Sequence, residues 1–154
     1  MKFIKLLSAV LVLAMLGCMF VACGDASDDV EELPERELYS ITVSFQIKDG
    51  NGRTVIDAKD YNYKSHSAPT MLNIINTYLS VEEDWVCKID KKTNTITQIG
   101  GMKADKKNGQ YWGFVNGQIN LDKDKVLKEL SDGKMSDITI SDGGVFTVML
   151  ILDN

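Results

Sequence analysis

Gly100 to Gly117 reads GGMKADKKNGQYWGFVNG: a glycine pair, a polar lysine-rich loop, then a short aromatic strand from Tyr111 to Val115. Asn116-Gly117 closes the stretch. Asn-Gly between apolar runs predicts a hairpin, because both residues tolerate positive φ. Side chains alternate along a strand, so Tyr111, Gly113 and Val115 face one way while Trp112 and Phe114 face the other. One of these faces must cover the core. The other either packs a core as well or presents aromatic area to a ligand. Tyr111, Trp112 and Phe114, with Lys103, Lys106 and Lys107 of the preceding loop, are therefore the candidate ligand-binding residues. Aromatic and lysine groups together suit a planar ligand with peripheral carboxylates or amides.

Outward from this stretch, the C-terminal run Val145 to Leu152 is apolar on both parities except Thr147. A strand buried on both faces reads that way, which predicts that it lies in the centre of a sheet. Asp142-Gly143-Gly144 forms the corner before it, and Asp137 to Ser141 is expected as a short strand. Lys123 to Leu130 reads as a short helix or helical loop. On the N-terminal side, Thr95 to Ile99 is a strand entered through a turn at Lys91 to Asn94. Trp85, Cys87 and Ile89 share one face of the strand before that turn.

Met71, Ile74, Ile75, Tyr78 and Leu79 fall on one face of a helix. Ser67 is its expected cap, with Ala68-Pro69 in the first turn. Ala58 to His66 reads as polar and irregular. The domain opens at Tyr39. Ile41, Val43, Phe45 and Ile47 alternate with polar residues as in a half-buried strand. Asp49-Gly50-Asn51-Gly52 turns it into a returning arm at Arg53 to Asp57.

Residues 1–22 read as a targeting segment. Lys2 and Lys5 precede an apolar run that continues into GCMFVACGD. An uncleaved anchor is the alternative, since about 17 near-apolar residues are borderline for spanning a bilayer. Small residues before a cysteine resemble a bacterial lipoprotein signal, in which the cysteine is acylated and becomes the first residue. Cys23 follows Ala22 and is followed at once by polar sequence, so it is preferred to Cys18. Residues 23–38 are acidic and poor in apolar side chains, a composition that suits a flexible tether. Removal of residues 1–22 leaves 15 basic and 22 acidic residues, a net charge of −7. No basic stripe suited to nucleic acid is evident.

The chain lacks a phosphate loop, a dinucleotide fingerprint, a metalloprotease helix and a nucleophile elbow. Its single histidine, His66, and Cys87 form a nominal nucleophile and base pair, but Cys87 sits mid-strand in an apolar setting. The expectation is a protein that is not an enzyme and requires no cofactor or metal.

Ile96-Thr97-Gln98-Ile99-Gly100-Gly101, Tyr111-Trp112-Gly113-Phe114-Val115-Asn116-Gly117 and Ser141-Asp142-Gly143-Gly144 occur in that order before a terminal strand. This order resembles the transcobalamin-like C-terminal domain family of bacterial surface lipoproteins. Gly144 stands where that family usually has an acidic residue, and Leu121 to Asp132 is inserted between the aromatic strand and the corner. The resemblance covers Thr95 to the end best. It implies a small α+β domain over residues 39–154, akin to the β-grasp, with one main helix packed on a mixed sheet. It also implies a corrinoid as a candidate ligand. In the family's transcobalamin-type members a separate helical domain holds the other side of the corrinoid. The expectation is thus an extracytoplasmic lipoprotein, held at the membrane by its N-terminal lipid, with a ligand-binding or accessory domain. The alternative is a surface module that recognises protein or glycan.

Overall fold

Strict alternation from Ile41 makes β1 (Tyr39–Lys48), and the Asp49–Arg53 turn carries it into the antiparallel β2 (Thr54–Ser65). The computed structural model describes residues 36–82, 85–130 and 134–152. The helix α1 (Met71–Ser80) follows. A small antiparallel sheet comes next, built of β3 (Cys87–Asp90), β4 (Thr95–Ile99) and β5 (Met102–Lys103). A 3₁₀ turn at Lys106–Asn108 leads into β6 (Gln110–Asn116). The short helix α2 (Lys123–Glu129) and β7 (Val145–Leu152) complete the chain.

The four-stranded sheet has the order β2-β1-β7-β6. β7 runs parallel to β1 and antiparallel to β6, so the sheet is mixed and its last strand is central, as its two-sided apolar pattern requires. The fold is α+β. α1 buries Met71, Leu72, Ile74, Ile75 and Leu79 against one face of this sheet, where Phe45 and Phe146 stack at 5.0 Å. The edge of Phe45 or Tyr78 meets its neighbour's ring at 5.1 Å. Such geometry satisfies the ring quadrupoles while filling volume.

Four expectations need correction. β2 continues through Ala58 to Ser65 instead of ending at Asp57. A bulge pairs Val43 with Tyr61 but Phe45 with Ala58, and it places Asp60 at φ 48° with its N–H donated to Ser44 Oγ at 3.0 Å. The inward parity therefore switches from Ile56 and Ala58 to Tyr61 and Tyr63, which hides the strand from an alternation pattern. The cap of α1 is Thr70, not Ser67: its hydroxyl accepts the Asn73 N–H at 3.2 Å.

Asp137 to Ser141 is no strand, and only Thr139 makes an isolated bridge, to Thr70. The surrounding segment instead supplies acceptors to the first turn of α1. Met71 N–H donates to Ile138 O at 2.9 Å and Leu72 N–H to Met135 O at 3.2 Å, which satisfies donors that a helix start leaves unpaired. Asn116-Gly117, finally, does not close a tight hairpin. Gly117 adopts φ 82° and bonds to Val145 O, and β6 pairs with β7 only after the excursion through α2. Positive-φ residues mark where a strand ends without naming its partner.

That excursion covers the second face of the sheet. Leu121, Val126 and Leu130 pack on Val115, Met149 and Ile151, and Leu130 fills the space that a Cβ on Gly113 would need. Polar groups pin its start. Gln46, 4% exposed, donates from Nε2 to Asp57 Oδ1 and Asn120 Oδ1, and its Oε1 accepts the Asn120 N–H at 3.0 Å. Thr147 Oγ1 donates to Gln118 O at 2.9 Å.

Candidate functional site

β6 forms one edge of the main sheet; the small sheet precedes it in the chain, and the loop between the two is closed by the bridge between Asp105 and Gln110. Between them lies a cavity of about 320 Å³. β4 and the turn before it contribute Asn94, Thr95 and Ile96. The loop after β5 contributes Ala104 and Lys106, β6 contributes Tyr111 and Trp112, and Lys134 and Met135 complete the lining. Its volume falls at the lower end of the range for small-molecule sites, and its mix of apolar wall with a few polar groups is typical of them.

The loop that carries Lys106 is firmly built. Asp105 Oδ1 accepts the Lys107 N–H at 3.1 Å, and its Oδ2 accepts Asn108 Nδ2 at 2.7 Å. Gly109, at φ 67°, ends the 3₁₀ turn and directs the chain into β6. Across the cavity the Asp90–Asn94 turn is held in the same manner. Asp90 Oδ1 accepts the Lys92 N–H at 2.8 Å, and Asn94 takes a left-handed conformation at φ 50°.

Of the residues singled out in the sequence, Tyr111, Trp112 and Lys106 meet at this cavity. Tyr111 is 40% exposed, whereas Trp112 is 9% exposed and its Nε1–H finds no acceptor among the described residues. A buried indole donor without a partner is uncommon. Phe114 is corrected: at 2% exposure it packs within the main core, as Trp112↔Leu150 and Phe114↔Val148 face α1. Lys103 and Lys107 are exposed but do not line the cavity. Lys103 stands opposite Gln98 on β4. The remaining lining residues carry no local motif. Asn94 to Ile96 and Lys134-Met135 are brought together only by tertiary packing.

Burial pushes the Cys87 thiol up to about 11, so thiolate is scarce at neutral pH. His66 is exposed, and its Nδ1 lies 3.1 Å from Arg36 O and 3.2 Å from Glu37 O. Among the described residues no three His, Cys, Asp or Glu side chains form a group that could hold a metal ion. No helix among them is long and apolar enough to cross a membrane. Cys23, the targeting segment 1–22 and the tether up to residue 35 lie outside the described residues.

No family model matches the chain, and no curated protein matches it. Among solved structures, haptocorrin in complex with Cbi is similar with a TM-score of 0.52 at 13% identity. The match covers 84% of this chain and 29% of that one. A candidate metal-binding protein from Ruminococcus gnavus ATCC 29149 gives 0.43 at 14% identity, covering 74% of this chain and 99% of that one. The first likeness is one of fold and agrees at that level with the transcobalamin-like resemblance of the sequence. The second is too distant to add to it. This chain spans less than a third of the haptocorrin structure.

Proposed function

We propose that this chain is an extracytoplasmic lipoprotein, anchored through an acylated Cys23, whose domain binds a flat amphipathic ligand without catalysing a reaction. A corrinoid is the first ligand to test. The observation that carries the reading is the cavity beside β6, where half-exposed Tyr111 adjoins buried Trp112 and Lys106. The fold likeness to a protein solved with Cbi supports the choice of ligand class. A corrin macrocycle is larger than about 320 Å³. Only an edge of it would enter the cavity, with the remainder lying over Tyr111 and available to a second protein.

The alternative is a surface module that recognises protein or glycan through a sheet edge or its loops, and one form of it, strand addition at β2, finds less support. The outer edge strand β2 carries the Asp60 bulge and exposed Asp57, Lys59 and Lys64, all features that discourage pairing with another strand.

Titration of the full-length protein with cobinamide and with cobalamin tests the reading. Tryptophan emission, corrected for absorption by the corrinoid, should fall saturably, and Trp112→Phe should remove most of the change. A flat titration would refute corrinoid binding. Anchoring has its own readout: Cys23→Ala should abolish metabolic labelling with a fatty-acid analogue, whereas Cys18→Ala should retain it.

A further inference from the structure

Charge in this protein is unevenly placed. Between Val86 and Gln110 lie six lysines (Lys88, Lys91, Lys92, Lys103, Lys106 and Lys107) and only two aspartates. Elsewhere acidic residues outnumber basic ones, 20 to 11. The two aspartates are engaged with their own turns, Asp90 by the Lys92 N–H and Asp105 by the Lys107 N–H and the Asn108 amide. Among the described residues the ion pairs are Arg53–Asp49 and Lys59–Asp57, both in the β1–β2 hairpin, so none of the six lysines has a carboxylate partner there.

This excess borders the cavity. Lys106 and Lys134 line it from separate segments, Lys91 and Lys92 sit in the turn that leads to Asn94, and among the described residues no acidic side chain lines it. The Asp90 carboxyl, held below its ordinary range chiefly by the Lys92 N–H, also feels the Lys106 charge. The rest of the lining is partly apolar, with Ile96, Ala104, Trp112 and Met135 beside the polar groups of Asn94, Thr95 and Tyr111. A ligand without hydrogen-bond acceptors seated there would strip water from two ammonium groups and return nothing, and neutral amides would return less to them than an acid group. An acid group would meet them beside low-dielectric walls that concentrate the field.

We propose that the cavity beside β6 selects an acidic ligand, an apolar planar body bearing a carboxylate, sulfonate or phosphate group that Lys106 and Lys134 receive. This deepens the ligand-binding reading above and rests on it.

Two dyes of nearly the same shape separate the two claims. Anilinonaphthalene sulfonate and phenylnaphthylamine differ by one sulfonate group. Binding of each to the full-length protein is read by quenching of tryptophan emission, with Trp112→Phe assigning the signal to the cavity. The sulfonate should bind roughly tenfold more tightly at low ionic strength, the scale expected of two partly solvated charges. That preference should shrink in about 1 M salt, where screening acts within about 3 Å. It should fall close to parity in the Lys106→Gln/Lys134→Gln double variant and persist in Lys88→Gln/Lys103→Gln, whose side chains do not line the cavity. Equal affinity for both dyes in the wild type would overturn the acidic preference yet leave the cavity a binding site. A preference undiminished in the Lys106/Lys134 variant would overturn the assignment to these lysines. Failure of both dyes to quench Trp112 would remove the cavity reading itself, and the preference with it.

Discussion

The two sheets of this domain are made of different material. The four-stranded sheet has strands of seven to twelve residues, and it buries Phe45, Ile47, Phe146, Val148 and Met149 with essentially no exposure. The three-stranded sheet has strands of five residues or fewer and contributes Ile96 and Ile99 to the core while the rest of its side chains are half-buried or exposed. Sheets this short do not hold themselves together. The small one persists because its apolar face rests on the main core, and that dependence leaves its turns and its outer face open to lysines. Stability is thus concentrated in one sheet, and the candidate recognition surface lies where the other meets its edge.

The largest expected effect tests that division from the stable side. Phe45 contacts Phe146 face to face and Tyr61 and Tyr78 edge-on. Phe45→Ala should cost about 3–5 kcal/mol in urea unfolding, as large-to-small changes in a packed core do. Dye or corrinoid affinity of the molecules that remain folded should be unchanged. Loss of affinity in step with stability would show that the two sheets do not divide their tasks.

A smaller effect belongs to the small sheet. Gly100 holds φ 55°, and a Cβ there would come within 2.8 Å of the Trp85 ring, whereas a Cβ on Gly101 would meet nothing within 4 Å. Gly100→Ala should destabilise by about 1–3 kcal/mol through the left-handed backbone and the displaced ring. It should also shift the Trp85 emission. Gly101→Ala should stay within about 0.5 kcal/mol of wild type. Equal costs at the two positions would mean that the ring of Trp85 does not cover this corner.

The same contrast explains what the sequence could convey. β7, β4 and the buried face of α1 were legible because each has a local signature: a run apolar on both parities, a short strand between turns, and a helical stripe. The second half of β2 was not, because one bulge residue inverted the parity on which the reading relied. The strand expected over Asp137 to Ser141 is absent because Ile138 O and Ile140 N–H bond to the start of α1, at Met71 and Pro69, rather than to a sheet. Of the site, Tyr111, Trp112 and Lys106 share one short stretch and could be found together. Lys134 and Met135 lie more than twenty residues further on, and only the fold brings them to the cavity.

The start of α1 offers a milder test of how the main core is braced. Thr70→Ala removes the hydroxyl that accepts the Asn73 N–H and should cost about 1 kcal/mol in thermal or urea unfolding. Ser67→Ala, at the position expected from sequence to cap the helix, should change stability by less than about 0.5 kcal/mol. The reverse order would restore Ser67 as the cap.

The smallest effect lies in the β1–β2 turn and depends on pH. Asp49 is buried, which alone would raise its carboxyl. The Arg53 N–H, the Arg53 guanidinium and the Asn51 N–H outweigh this and hold it below the ordinary carboxylate range. Oδ1 accepts both N–H groups at 2.9 Å, while Oδ2 receives Arg53 Nε at 2.9 Å. With the folded value depressed, the unfolded chain binds the proton more readily, so this contribution is full above the ordinary aspartate value of about 3.9. It is lost as pH falls through the lower folded value. Arg53 is 77% exposed, which keeps the ion-pair part to at most about 1 kcal/mol. The stability gap between wild type and Asp49→Asn should therefore be flat from about pH 7 to pH 5 and should narrow below about pH 4. Calcium should leave both melts unchanged, since the carboxylate oxygens already serve the turn. A gap that widened on acidification, or a melt raised by calcium, would show that this corner is something other than a self-satisfied turn of the main sheet.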